Sequence, residues 1–155
     1  MDIFISYNYQ VINMKQVNKE IKWVKASDIH CHPLNPRRNS KSAKMVAKSI
    51  EKFGYINPIV VDETGAILAG NTRFRALELL GVEEFEVLVV NGLTEDEKLG
   101  FLIADNKTNE YSQWNYAGLQ RIAAGMEDKQ TMKEIGITTI QDNKDELDKL
   151  IAGIE

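Results

Sequence analysis

The residues with the clearest chemical potential stand at positions 70–75, where the sequence reads Gly-Asn-Thr-Arg-Phe-Arg. A glycine allows a sharp turn and lets a ligand approach the backbone closely. The first amides of a helix have no internal partners and carry the positive end of its dipole, so they suit an anion. Thr72 adds a hydroxyl, and Arg73 and Arg75 add permanently charged groups that bind phosphate. The pattern predicts a phosphate-binding turn; the alternative is a surface turn with two solvated arginines.

Two strands and a helix would position these six residues, which we call the box. Residues 58–62 are rich in β-branched side chains, and residues 63–65 predict a hairpin turn. Residues 66–69 then predict a returning strand that delivers the chain to Gly70, and a helix follows from Thr72 to Gly81.

The rest of the chain predicts further short elements. Thr94 and Glu97 form the pattern of a capping box, and Asn115 can cap a later helix. The predicted strands cover residues 21–24 and 85–90, and residues 136–139 are predicted to be extended. The predicted helices cover residues 43–53, 94–106, 115–125 and 145–151. In the helix over 94–106, Leu99, Leu102 and Ile103 are expected to face inward. The expected fold is therefore α+β, a small mixed sheet with packed helices and a short helical C-terminal tail.

Length and charge limit the function classes. A chain of 155 residues with a net charge of −4 fits one domain and argues against a strongly basic, autonomous nucleic-acid binder. A local cluster of basic residues leaves DNA contact through one face open as an alternative: Arg37, Arg38, Lys41, Lys44 and Lys48. The helix face with Lys41, Lys44, Lys48 and Lys52 is interpreted mainly as solvent-exposed coating. No apolar run reaches membrane-spanning length and Cys31 is the only cysteine, so a cytoplasmic protein is expected.

His30-Cys31-His32 could suggest a metal site. A zinc site needs three or four ligands, and no second Cys/His pair exists in the sequence. A solvated loop before Pro33 is the preferred interpretation.

The domain boundaries are predicted from changes in pattern. Residues 1–19 are interpreted as an N-terminal arm, disordered or non-native, with Met14 as a candidate native start. An added edge strand over residues 3–12 is the alternative. Residues 20–112 form the predicted nucleotide-binding domain, and residues 113–155 a helical C-terminal extension of it.

The order of these motifs resembles the ParB/sulfiredoxin superfamily, specifically the ParB N-terminal-like (ParB-like nuclease) domain. The resemblance runs from about residue 21 to the end of the chain, and its later motifs resemble the branch found in phages and mobile elements beside DNA methyltransferases. The matching motifs are Asn35-Pro36-Arg37, residues 49–54, residues 58–61, residues 70–76, and residues 102–108 with Trp114.

The resemblance implies a nucleotide site that binds CTP or ATP with Mg²⁺. Its phosphate-binding residues would be Gly70, Asn71, Thr72, Arg73, Arg75 and Asn106. Tyr55, Ile56 and Asn57 would lie near the base, and Asp105 would be an oxygen ligand of magnesium. Arg73 is the first choice for direct phosphate contact, and Arg75 would lie beside it or pair with an acid. Arg73→Ala is expected to abolish nucleotide binding and leave the fold intact.

Departures from the family pattern argue against hydrolysis. The ParB box has a Glu where this chain has Asn71, which can neither act as a base nor carry charge. Thr72 and Asn109 each stand where ParB proteins have an arginine. The sulfiredoxin branch requires a nucleophilic cysteine directly after the glycine, and Asn71 occupies that position.

Three functions compete at this point. The first is a nucleotide-responsive accessory or regulatory module in DNA transactions of a phage or mobile element, with a DNA methyltransferase or another phage DNA-processing protein as partner. The second is an enzyme, either a weak nucleotide hydrolase, a metal-dependent nuclease or a small-molecule kinase, using Asp62, Glu63 or Asp105. The third is a pure interaction domain. The acidic tail has no basic recognition helix, so any DNA binding should be non-specific.

Overall fold

The chain folds around one mixed sheet of five strands. The computed structural model describes residues 15–34, 40–108, 115–128 and 131. The strands are β1 (Asn18–Lys25), β2 (His30–Cys31), β3 (Ile59–Asp62), β4 (Ala66–Ala69) and β5 (Glu84–Asn91), in the spatial order β1-β5-β3-β4-β2. The pairs β1–β5 and β3–β4 are antiparallel, whereas β3–β5 and β2–β4 are parallel.

Four helices accompany the sheet in the described part of the chain. They are α1 (Ser40–Phe53), α2 (Asn71–Leu79), α3 (Glu95–Thr108) and α4 (Tyr116–Gly125), and a short 3₁₀ helix spans Ala26–Asp28. The predicted α+β fold, a small mixed sheet with packed helices, is confirmed. None of these helices is long and apolar enough to cross a membrane, within the residues described.

The main core lies between one face of the sheet and α2. Ile59 and Val87 are fully buried on neighbouring strands, and Phe74 and Leu77 of α2 belong to the same cluster. Helix α1 packs against α2. This packing fixes the start of α2 at the end of β4, where the box lies.

Helix α3 packs against β4 and covers part of the opposite sheet face. Lys98 and Leu102 are its buried residues, and their spacing of four places them on one side of the helix. The prediction that Ile103 faces inward is wrong, because its side chain is 61% exposed. The predicted capping box is present, with the Thr94 amide donating to Glu97 Oε2 at 2.9 Å.

Two sequence interpretations change at the edges of the sheet. Strand β1 begins at Asn18, so the last two residues of the predicted arm pair with β5. The segment predicted as a solvated loop contains β2, a two-residue strand that pairs His30 with Ala66. Several sequence predictions concern residues outside the described ranges, namely Met14 and the strand over residues 3–12, the basic pair Arg37 and Arg38, Asn109, Trp114, and the elements at 136–139 and 145–151.

Candidate functional site

The box begins with the sharp turn that its sequence predicts. Strand β4 ends at Ala69, Gly70 adopts φ 101° and ψ 22°, and α2 begins at Asn71. The first helical bond runs from the Phe74 amide to the Gly70 carbonyl at 2.9 Å. The amides of residues 71–73 precede this bond and have no acceptor within the helix. No described side chain caps this helix terminus. A helix start of this kind is able to bind an anion through its backbone amides.

Arg73 folds back over Gly70. A Cβ atom placed on Gly70 would lie 3.2 Å from Arg73 Nε, so a side chain there would crowd the guanidinium as well as strain the backbone. Arg73 Nη1 donates to the Asn57 carbonyl at 2.9 Å and to the Pro58 carbonyl at 2.8 Å. Arg73 therefore ties the box to the segment predicted to lie near the base.

These two bonds change what Arg73→Ala can test. The sequence predicts that this variant keeps its fold, but the substitution also removes the link between α2 and the carbonyls of residues 57 and 58. Its effect on ligand binding would therefore be mixed with an effect on the segment itself. A variant at another position of the box is needed to test the anion site.

Arg75 is engaged elsewhere. Its Nη1 donates to Glu78 Oε2 at 2.9 Å, in an exposed pair three residues apart on α2. Of the two alternatives raised by the sequence, the structure shows the pairing with an acid. Direct phosphate contact by Arg75 stays a prediction.

Asn71 has a buried acceptor with no partner. Its Oδ1 is buried and receives no hydrogen bond within the described part of the chain. A buried acceptor without a donor costs about 1–3 kcal/mol, so such an atom calls for an explanation. A bound ligand with hydroxyl or amino groups could supply the donor at this first residue of α2.

Residues 55–57 are anchored at both ends. Tyr55 Oη accepts a hydrogen bond from the Ile59 amide at 2.7 Å, and its ring meets Phe85 edge-on at 6.0 Å. Burial raises the pKa of the Tyr55 hydroxyl. At the other end, the Asn57 carbonyl accepts a hydrogen bond from Arg73. Ile56, between Tyr55 and Asn57, is 73% exposed. The predicted base-proximal segment thus forms an anchored loop with one projecting apolar side chain.

Asp105 and Asn106 lie near the end of α3. Asn106 Nδ2 donates to the Leu102 carbonyl one turn earlier at 2.8 Å. No group of three or more His, Cys, Asp or Glu side chains able to hold a metal is found among the described residues. Magnesium commonly takes one or two carboxylates and completes its shell with phosphates and water. Asp105 fits such a partial role if a nucleotide supplies the phosphates.

A buried ion cluster, not expected from the sequence, lies behind the β3–β4 turn. Lys98 is only 2% exposed. Its Nζ lies 3.0 Å from Asp62 Oδ2, 2.8 Å from Glu63 Oε1 and 2.9 Å from Glu95 Oε1. The only sequence signal was the spacing of Glu95 and Lys98, which any exposed helical pair shares. Two of the acids considered for catalysis are therefore bound to a lysine.

Asp62 also organises the hairpin turn. Its Oδ1 accepts hydrogen bonds from the Thr64 amide at 2.9 Å, the Thr64 hydroxyl at 2.6 Å and the Ala66 amide at 3.0 Å. Burial alone would raise the pKa of Asp62, but the hydrogen bonds from Thr64, Lys98 and Ala66 outweigh it and lower the pKa to about 2. The same cluster raises the pKa of Lys98, chiefly through its bonds to Glu63 and Glu95.

The lowered pKa of Asp62 predicts loss of stability in acid. The carboxylate contributes fully above its unfolded-state pKa near 4, and this contribution is lost as pH falls toward 2. We expect the contribution to be roughly 2 kcal/mol. Urea unfolding at pH 7, 4 and 2.5 should show the gap between the wild type and Asp62→Asn narrowing as the solution is acidified. A constant gap would contradict the assignment.

The sequence is similar to that of known proteins over much of its length. The family described as the ParB N-terminal domain matches residues 11–107. The ParB-like nuclease domain-containing protein YnaK of Escherichia coli (strain K12) is 36% identical over 69 residues, covering 44% of this chain and 78% of YnaK. The uncharacterized protein ORF326b of Acidianus two-tailed virus is 26% identical over 110 residues, covering 68% of this chain. The match spans only 33% of the length of ORF326b.

A solved structure shares the fold. The C-terminally truncated chromosome-partitioning protein ParB of Caulobacter crescentus, complexed with CTP-γ-S, superposes with a TM-score of 0.55 at 21% sequence identity. The superposition covers 76% of this chain and 71% of that one. At this level of identity the likeness supports the fold.

Proposed function

This chain belongs to the ParB N-terminal domain family, and from that premise we propose that it binds a nucleotide through its phosphates at the box, residues 70–75. The observation that carries the proposal is the uncapped start of α2 directly after the left-handed Gly70. A terminus of this kind offers several amides and a dipole to one anion. The orphaned Oδ1 of Asn71 supports a ligand that also donates hydrogen bonds.

CTP is the first nucleotide to test and ATP the second. The Caulobacter crescentus ParB was solved with CTP-γ-S, which supports a cytidine triphosphate in a domain of this fold. Magnesium would enter with the nucleotide, with Asp105 and Asn106 as the residues that we propose help to hold it. Asn71 and Thr72 supply neither an acid nor a cation, so we propose binding without efficient hydrolysis.

In the cell, we propose an accessory or regulatory role in DNA transactions of a phage or mobile element. The viral source of ORF326b supports that setting. The net charge of −4 supports DNA contact that is weak, salt-sensitive and independent of sequence, or made through a partner. A DNA methyltransferase or another DNA-processing protein remains the proposed class of partner.

A metal-dependent nuclease or small-molecule kinase is the alternative, and the name of YnaK motivates the nuclease. Such an enzyme needs carboxylates that can bind metal ions. Asp62 and Glu63, two of the three acids considered, are both held by Lys98. The ion cluster therefore argues for a structural role of the hairpin acids.

Thr72→Glu provides the test of the anion site. The new carboxylate would stand in the first turn of α2, where it complements the helix dipole and preserves the fold while repelling phosphate. We expect the affinity for CTP or ATP with magnesium to fall about tenfold to a hundredfold, because a charge-assisted contact is worth about 1.5–3 kcal/mol. Isothermal titration calorimetry measures the affinity, and thermal unfolding checks the fold.

Thr72→Gln is the matched control, since glutamine has the size of glutamate without its charge. It should bind much more tightly than Thr72→Glu. Equal binding by both variants, or a wild type that binds neither nucleotide in the presence of magnesium, would refute the proposal.

A further inference from the structure

The β1 end of the sheet presents an exposed apolar strip. Ile21 and Trp23 lie within β1, yet they are 63% and 73% exposed. Alternate residues of a strand share a face, so Lys19 stands on the same side. Leu88 of β5 is the register partner of Ile21 and lies on this face too. A large aromatic and a β-branched side chain so exposed mark a contact surface.

The strip continues into a cavity of about 340 Å³. The cavity is lined by Val17 before β1, Val90 of β5, Leu68 of β4 and Phe101 of α3, among others. The main contact of helix α3 with the sheet is with β4, within the described part of the chain. On the same sheet face, Ile21 and Trp23 of β1 stay exposed.

The outer edge of β1 carries no further strand from the part of the chain that the structure describes. Among the residues described, β1 pairs along its full length with β5 and with no strand on its other side. An eight-residue edge is long enough to add another strand through main-chain hydrogen bonds.

Charge decides the class of partner. Lys25 has Glu84 as its register partner on β5, and Trp23 has Glu86. Glu20 forms an ion pair with Lys22 on the opposite face of β1, with Nζ and Oε1 2.6 Å apart. Because acids offset the lysines on both faces, the surface favours a mixed-charge strand over a polyanion such as DNA.

We propose that β1 pairs antiparallel with β1 of a second copy, about a twofold axis at Ile21. The two sheets then form one continuous sheet, with the apolar strips adjacent on one face. Ile21 lies opposite the partner subunit's Ile21, and Trp23 lies opposite the partner subunit's Lys19. Edge pairing supplies the hydrogen bonds, and the strips supply apolar contact. This inference does not depend on nucleotide binding.

The charge pattern of β1 favours that register over the two neighbouring ones. A twofold axis at Ile21 sets Glu20 opposite the partner subunit's Lys22, and Lys22 opposite the partner subunit's Glu20, so both cross-strand pairs are attractive. An axis at Glu20 would place two glutamates opposite each other. An axis at Lys22 would place two lysines opposite each other. Among these three registers, only the one at Ile21 places opposite charges across from each other.

Charge reversal tests the pairing in the full chain. Glu20→Lys and Lys22→Glu each place like charges opposite each other twice per dimer, and we expect each to weaken the dimer about tenfold to a hundredfold. The double variant Glu20→Lys/Lys22→Glu restores opposite charges and should recover the dimer. Sedimentation velocity over a concentration series measures the dissociation constant.

A cross-link tests the register separately. In a Cys31→Ser background, Ile21→Cys should form a covalent dimer on mild oxidation, because directly opposed residues have Cα atoms about 4.5–5.5 Å apart. Lys25→Cys is the control, since two copies of that residue would lie about 25 Å apart. A wild type that stays monomeric, a double variant that fails to recover the dimer, or equal cross-linking of both cysteines would overturn the proposal. So would Trp23 fluorescence, measured in a Trp114→Phe background, that responds to an oligonucleotide and not to protein concentration.

Discussion

Lys98→Met should lower the free energy of unfolding by about 3–5 kcal/mol, since removing one partner of a buried ion pair leaves its counter-charge buried and uncompensated. Lys98 is 2% exposed, and its Nζ lies 3.0 Å from Oδ2 of Asp62, which is 5% exposed. Methionine can fill the space of the lysine stem but donates no hydrogen bond. Urea unfolding followed by circular dichroism measures the change.

The matched control is Lys48→Met, an exposed lysine on α1. The same substitution in solvent should change stability by no more than about 0.5 kcal/mol. The double variant Lys98→Met/Asp62→Asn removes both charges, while the amide oxygen of the new asparagine can still accept the turn amides, so it should be more stable than Lys98→Met. If Lys98→Met behaves like the control, the cluster contributes nothing to folding.

Local sequence signals predicted the box well. The apolar run ending at Gly70 and the helix-forming segment after it specify a strand, a turn and a helix without reference to distant residues, and the structure has all three. The capping box at Thr94 and the cap at Asn115 are equally local, and both side chains accept the expected amides. These features need only a few neighbouring residues to form.

Features that depend on distant partners were missed. Nothing local in the sequence marks Lys98 as buried, because lysine is seldom buried and its counter-charges Asp62 and Glu63 lie 35 or more residues earlier. The strand at His30–Cys31 exists because β4 lies beside it. The dual hydrogen bond of Arg73 to residues 57 and 58 likewise needs the β3 entry to pass under α2. No spacing within one element reports such contacts.

Two of these distant contacts, those of Lys98 and of β2, meet at the β3–β4 turn, from which β4 leads to the box. Asp62 holds the turn through its own carboxylate and receives Lys98 from α3. The other side of the turn meets the 3₁₀ helix and β2, where the His30 amide donates to the Gly65 carbonyl at 3.1 Å. Because β4 runs directly from this turn to Gly70, an error in the turn would displace the start of α2.

Gly65→Ala should therefore be one of the most damaging single-methyl changes in the chain. Gly65 adopts φ 84°, which costs an L-residue about 1–2 kcal/mol. A Cβ there would also lie 2.3 Å from the Asp28 carbonyl oxygen, a backbone atom that cannot rotate away. Adding about 1–3 kcal/mol for overpacking, we expect a total loss of about 2–5 kcal/mol in urea unfolding.

Gly92→Ala separates the cost of the positive φ from the cost of the steric clash. Gly92 has nearly the same φ of 83°, but a Cβ built there meets no atom within 4 Å in the described part of the chain. The free energy of unfolding of Gly92→Ala should therefore fall only by the cost of the positive φ, about 1–2 kcal/mol. The difference between the two variants measures the clash with the Asp28 carbonyl. Equal losses would mean that the 3₁₀ helix moves aside at no cost, and the turn would then be held by Asp62 and Lys98 rather than by its contact with residue 28.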